Sequence, residues 1–227
     1  PGSEVFSNTP VTVYYLPGTT GRGATYAGRA TQLASGSVPA PSGLWASVGK
    51  YTDRITLSWQ PAAGATHYRV YRAGSATGAK TALGGWQTHS WYDDYSAPYV
   101  STCYYFVRAA RDANGTGASG YSAAGSGYRR LAPPGGIWAS DGKYTDRVTV
   151  SWKPVAGANY YRVWRATSPT GQKTPLGGWR RETFYENCNP DPTRVYYYFV
   201  QAARDATGWR PSSISGYHSG WRAAVGR

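Results

Sequence analysis

The chain has 227 residues, room for one large domain or two small ones, and 29 Gly with 15 Pro mark frequent turns. Its 21 Tyr and 10 Trp exclude an intrinsically disordered chain, and its glycines lack the triplet period of collagen. The formal charge of +13 is spread along the sequence with no Lys/Arg block, a distribution that suits anionic glycans or a cell envelope and disfavours nucleic acid.

Residues 1–38 form an arm with no second copy in the sequence. Within it Pro10 to Leu16 has high strand propensity, and Val11, Val13 and Tyr15 alternate along one face. One β-strand is expected here. A strand cannot satisfy its own backbone, so it must pair with a sheet edge, either in its own modules or in another chain by strand addition. Pairing with a neighbouring molecule is the expectation carried forward, because an open head-to-tail contact propagates into a homopolymer.

Beyond the arm, an offset of 93 residues lays 41–131 over 134–224 without a gap, with about half the positions identical. LWASVGKYTDRITLSWQP returns as IWASDGKYTDRVTVSWKP, and YYFVRAARDANG as YYFVQAARDATG. Two copies of one module are expected, 39–132 and 133–227. Inside each copy the apolar period is two, as in Ile55, Leu57 and Trp59 or Tyr105, Val107 and Ala109, with turn clusters between. Short alternating strands in modules of this size predict an all-β fold of antiparallel sandwiches.

Period two also defines an outward row on each copy. Arg69, Tyr71, Tyr104 and Phe106 in the first, with Arg162, Trp164, Tyr197 and Phe199 in the second, should face away from the core. Such apolar rows call for a cover. An intermolecular interface and a cover built from loops and Arg stems of the same module both account for them. Trp86 and Trp179 are further candidates for stacking on sugars.

Candidate groups for chemistry are few. Three His and three Glu supply few convergent titratable groups, and Asp93 and Asp94, as strand neighbours, point to opposite faces. No nucleophile elbow, zinc-helix or phosphate-loop pattern occurs, so neither catalysis, metal nor cofactor is expected. Asp112-Ala-Asn-Gly and Asp205-Ala-Thr-Gly suit tight turns. Asn114 heads a glycosylation sequon. Cys103 and Cys188 are the two disulfide candidates; lying in different modules at non-equivalent positions, they make no ordinary bridge within a sandwich, which leaves modules folded side by side, a bond between chains or two free thiols, and an oxidising exterior favours the bond between chains.

At Trp59-Gln60-Pro61, Trp152-Lys153-Pro154, the Tyr-Arg-Val-aromatic-Arg strands and the Tyr196, Tyr198, Val200, Ala202 strand, the modules resemble the fibronectin type III family, above all its secreted bacterial members. The resemblance implies two tandem immunoglobulin-like sandwiches acting as spacer, adhesive or assembly modules without catalysis. The family's corner tyrosine falls at Tyr196 in the second copy, whereas the first copy has Cys103 there. The absence of methionine, even at position 1, and of any apolar run long enough to span a bilayer sets the expectation of a secreted protein, extracellular or at the cell surface, whose signal peptide has been removed. The leading expectation is a non-catalytic structural or adhesive protein, a self-associating subunit of a surface filament that uses its N-terminal strand. Carbohydrate-binding or spacer modules of a secreted polysaccharide hydrolase form the alternative.

Overall fold

In a computed structural model, the described residues are 36–224 together with the backbone of three arm segments. Those segments are β1 (Val13–Tyr15), β2 (Thr25–Tyr26) and β3 (Arg29–Leu33). The arm thus holds three short strands where one was expected. They form their own sheet in the order β1-β3-β2, with β1 running parallel to β3 and β2 antiparallel to it. Val13 and Tyr15 lie on β1 opposite Thr31 and Leu33, so the strand finds its partner inside the arm rather than on a sandwich edge. Val11 lies outside the described residues.

The first repeat supplies seven strands: β4 (Ser42–Ala46), β5 (Ile55–Gln60), β6 (His67–Ala73), β7 (Thr81–Gln87), β8 (Trp91–Asp94), β9 (Cys103–Ala110) and β10 (Gly125–Gly127). They make two antiparallel sheets, β4-β5-β8 and β10-β9-β6-β7. Their inward rows are those set by period two: Leu57 and Trp59 from one sheet, with Tyr68, Val70, Tyr105 and Val107 from the other, are all buried. The Trp59 ring meets Tyr68 edge-on at 5.7 Å, which joins the two layers.

The second repeat matches it strand for strand. It comprises β11 (Trp138–Ala139), β12 (Arg147–Ser151), β13 (Tyr160–Ala166), β14 (Thr174–Arg180), β15 (Phe184–Cys188), β16 (Tyr196–Ala203) and β17 (His218–Gly220). These form sheets β11-β12-β15 and β14-β13-β16-β17. Val148, Val150 and Trp152 pack there on Tyr161, Val163, Tyr198 and Val200.

By its internal contacts the chain divides into two units that do not follow the repeat boundary. The arm through Ala46, with Thr56–Asp94 and Cys103–Gly127, makes the first; Ser47–Ile55, Tyr95–Thr102 and Tyr128–Arg227 make the second. The second unit's core accordingly includes Val100 and Leu131. Val100 has a left-handed backbone (φ 52), a costly conformation for a β-branched residue. Its carbonyl accepts a hydrogen bond from Arg210 at 2.9 Å and its N–H donates to Arg129 O at 2.8 Å, so local contacts hold the strained geometry.

Two duplicated devices close the sheets. Along β9, Ser119 and Ser122 each donate their N–H to a strand carbonyl, of Ala109 and Val107, and accept the same residue's N–H on Oγ at 2.9 and 3.0 Å. Ser212 and Ser215 do the same to Ala202 and Val200 of β16. Serine hydroxyls thereby satisfy strand amides that would otherwise lack acceptors. The second device is the Asp-Ala-x-Gly turn. Asp112 Oδ1 accepts from the N–H groups of Asn114 and Thr116, and Asp205 Oδ1 from those of Thr207 and Trp209. Gly115 and Gly208, both at positive φ, lie flat against the Trp86 and Trp179 rings, where a Cβ would come within 2.8 and 2.4 Å.

Candidate functional site

The buried ionisable groups at the heart of each sandwich are engaged in structure. In the first, Asp94 is buried, and its Oδ2 accepts from Arg72 at 2.8 Å and from the Tyr105 hydroxyl at 2.9 Å. Burial, then the charge of Asp94, pushes the Tyr105 phenol far above its ordinary range. For Arg72, burial opposes the charged form, but the hydrogen bond to Asp94, the charge of Asp94 and the smaller contributions of Cys103 and Tyr105 together outweigh it and raise the guanidinium further. The equivalent site in the second unit is neutral: Asn187 Nδ2 donates to the Tyr198 hydroxyl at 2.8 Å. Burial there pushes Tyr198 up to about 12, opposed by Asn187 and by the charge of Arg165. Arg165 instead lies over the buried Tyr196 ring at 4.4 Å, the place taken by Cys103 in the first unit. Among the described residues no group of three or more His, Cys, Asp or Glu is placed to hold a metal ion, and no helix is long and apolar enough to cross a membrane.

The outward rows turn out to be covered within their own units. Tyr71 and Phe106 are buried under Tyr121, whose ring sits edge-on at 5.0 and 6.1 Å, with Lys80 Nζ 4.3 Å above Phe106. Phe199 is likewise buried, under Tyr217 at 5.9 Å and Lys173 at 4.5 Å. Of the two covers open to these rows, the one built within the same module is present at Tyr71, Phe106 and Phe199, where the segment after each central strand folds back over the rings. Arg69, Tyr104, Arg162, Trp164 and Tyr197 remain half-buried. Arg69 and Arg162 donate Nε to the carbonyls of Gly84 and Gly177 and lie over Tyr71 and Trp164 at 5.8 and 5.2 Å.

Cys103 is buried at the start of β9, whereas Cys188 is exposed at the end of β15, and neither is in a disulfide. Burial removes Cys103 from reach of another chain, so the folded protein offers one accessible thiol, enough for a dimer but not for a stapled polymer. Asn114 is exposed at the turn after β9, as a sequon requires.

A further aromatic surface, outside the rows expected from the sequence, lies on the other sheet. In the second unit Trp138 pairs with Ser151, which pairs with Phe184, so three residues cross the sheet in one row. Directly paired residues share a face, and the two rings are 44% and 50% exposed. The first unit repeats it: Trp45 pairs with Ser58, and Thr56 Oγ1 donates to Asp93 at 2.6 Å across β5 and β8, which sets Ser58 opposite Trp91. Trp45 and Trp91 are 50% and 51% exposed. The signal was present in the sequence, since 45/138 and 91/184 are equivalent positions, aromatic in both copies and outside the inward rows.

No model of a known protein family matches the sequence, and no curated protein matches it. Solved structures do. A two-domain fibronectin type III segment of chicken tenascin aligns with a TM-score of 0.59 at 18% identity, covering 79% of this chain and 97% of that one. A Fn3-like protein from Clostridium thermocellum is 30% identical over 41% of this chain and 95% of its own, with a TM-score of 0.36. The FN1-FN3 domains of chicken CNTN1 are 16% identical over 85% of this chain and 72% of theirs, with a TM-score of 0.35. With seven strands in each repeat, sorted into sheets of three and four, the chain is a tandem fibronectin type III-like protein.

Proposed function

We propose that this chain is a non-catalytic extracellular structural or adhesive protein whose two sandwich repeats act as a spacer and present surface aromatic rows to cell-envelope polymers. The observation that carries the reading is the duplication of a solvent-facing aromatic row on the same sheet of both repeats. Rings left in water forgo burial worth about 25 cal/mol per Å², and their recurrence marks a contact surface. The net charge of +13 draws the protein towards anionic glycans and envelope before any short-range contact forms. Sedimentation of the purified chain with isolated cell envelopes tests this: co-sedimentation supports the reading, and a chain that stays in the supernatant at low salt sinks it.

Self-association into a surface filament is the stricter form of the proposal. β1 is an edge strand of the arm's sheet, so strand addition would extend that sheet rather than a sandwich. Electron microscopy of native material should show filaments that disappear when residues 1–33 are deleted; filaments of unchanged number in the deletion contradict the arm's role. The alternative, spacer or carbohydrate-binding modules of a secreted polysaccharide hydrolase, is favoured by the same aromatic rows, and a catalytic domain encoded in the same reading frame would decide for it.

A further inference from the structure

We infer that the ring-Ser-ring rows, Trp45-Ser58-Trp91 and Trp138-Ser151-Phe184, are binding platforms for an uncharged, extended β-linked polysaccharide. The inference rests on the proposed contact with envelope polymers and names the ligand of that surface. Three features fix the chemistry. The first is spacing. The two ring-bearing strands in each row flank one central strand and so lie about 9.6 Å apart, twice the strand separation, close to the repeat of two pyranose rings in an extended β-linked chain. Serine on the central strand leaves the floor between the rings low, so a linear polymer can lie across both without meeting a side chain.

The second feature is the polar neighbour. About 6.7 Å further along the strands, Thr56 and Asp93 in the first unit and Thr149 and Glu186 in the second form the next row. A hydroxyl with a carboxylate beside a stacked ring supplies acceptor oxygens for sugar hydroxyls. The third is charge. The row beside the rings carries Asp93 in the first unit and Glu186, paired with Arg147 at 3.1 Å, in the second, so on that side neither platform offers net positive charge to a sulfate, uronate or phosphate group; on the other side the exposed Gln60 of the first copy is matched by the exposed Lys153 of the second. Nucleic acid bases could stack on the same rings, yet their phosphates would meet a carboxylate, or a carboxylate already paired with Arg147, in the neighbouring row rather than a free cation, which gives that backbone no anchor there. The +13 of the whole chain then governs approach, and the rows govern which polymer is held.

Titration of the full chain with uncharged β-1,4-linked hexasaccharides of glucose and of N-acetylglucosamine, followed by tryptophan fluorescence and calorimetry, tests the assignment. The expected result is saturable binding that changes little with salt. Trp91→Ala and Phe184→Ala should each weaken their own platform about tenfold, with circular dichroism unchanged because the rings are half in water. Should an alanine variant fail to fold, Ser151→Arg raises the floor between two intact rings and should abolish binding at the second row. No binding to either hexasaccharide, or affinity unaltered by the quadruple alanine variant, overturns the inference. So does single-stranded DNA binding, or self-association, that depends on these four rings. Envelope binding that survives in the quadruple variant and vanishes at high salt removes the inference but leaves the adhesive reading standing.

Discussion

The two sandwich repeats solve the same packing problem with different buried chemistry. In the first, a carboxylate, a guanidinium and a phenol meet at Asp94, Arg72 and Tyr105. In the second, the carboxylate has become Asn187, the phenol at Tyr198 accepts instead of donating, and Arg165 has moved to the Tyr196 ring. A fold of this kind tolerates either a charged or a neutral network at this position, with the buried phenol bonded to its neighbour in both. Their covers differ in a similar way. Tyr121 and Tyr217 shield Phe106 and Phe199, yet they are not equivalent at the 93-residue offset, whereas the serine pairs behind them are. The backbone device is held in register and the ring that uses it is not.

The largest effect expected from this comparison is at the charged network. Asp94→Ala leaves Arg72 and Tyr105 without their acceptor and should cost roughly 3 kcal/mol, whereas Asn187→Ala should cost about 1 kcal/mol. Hydrogen exchange of β9 and β16 amides reads the two separately, and equal losses would erase the distinction. Next come the turn glycines. Gly208→Ala and Gly115→Ala each combine a positive φ with a ring clash and should cost on the order of 2 kcal/mol, Gly208 more because its Cβ would meet Trp179 at 2.4 Å against 2.8 Å at Trp86. Thermal unfolding of both variants ranks them.

Alkaline pH sharpens the contrast further. Both phenols have raised values in the folded state, so their contribution is complete below about pH 10, the ordinary tyrosine value, and is lost as pH rises through the folded value. For Tyr198 that window closes near 12; for Tyr105 it extends beyond. Ultraviolet titration should show a phenolate step near 12 that Tyr198→Phe removes and Tyr105→Phe does not. The smallest effect is at the acid end. Hydrogen bonds from Thr116 and Thr207 hold Asp112 and Asp205 below the usual carboxylate range. Their stabilisation is present above that range and lost as pH falls through the lowered values. Chemical denaturation on going from neutral to acid pH should show a small loss that Asp112→Asn with Asp205→Asn reduces.

Much of the fold was legible in the sequence because its signal is periodic. The inward rows at Ile55, Leu57, Trp59 and Tyr105, Val107, Ala109 follow from alternation alone, and the duplication identified which segments are modules. Alternation assigns a face but does not say what lies over it. The sequence leaves the cover of Tyr71, Phe106 and Phe199 open because it comes from Tyr121 and Tyr217, in segments whose period of three is set by serine hydroxyls rather than by strand pairing. The arm misled for a related reason. Val13–Tyr15 has strand propensity, but its partner Arg29–Leu33 carries no alternating apolar row to betray it. At the exposed platforms the difficulty was different: Trp45 and Trp91 sit on separate strands, and only the register across Ser58 brings them into one row.

Which aromatic rows face water is measured most directly by hydroxyl-radical footprinting of the isolated chain, read by mass spectrometry. Strong labelling of Trp45, Trp91, Trp138 and Phe184, with Tyr71, Phe106 and Phe199 protected, is the predicted pattern. Labelling of Phe106 and Phe199 at the level of Trp91 and Phe184 would contradict it and return the outward rows of the four-stranded sheets to the surface.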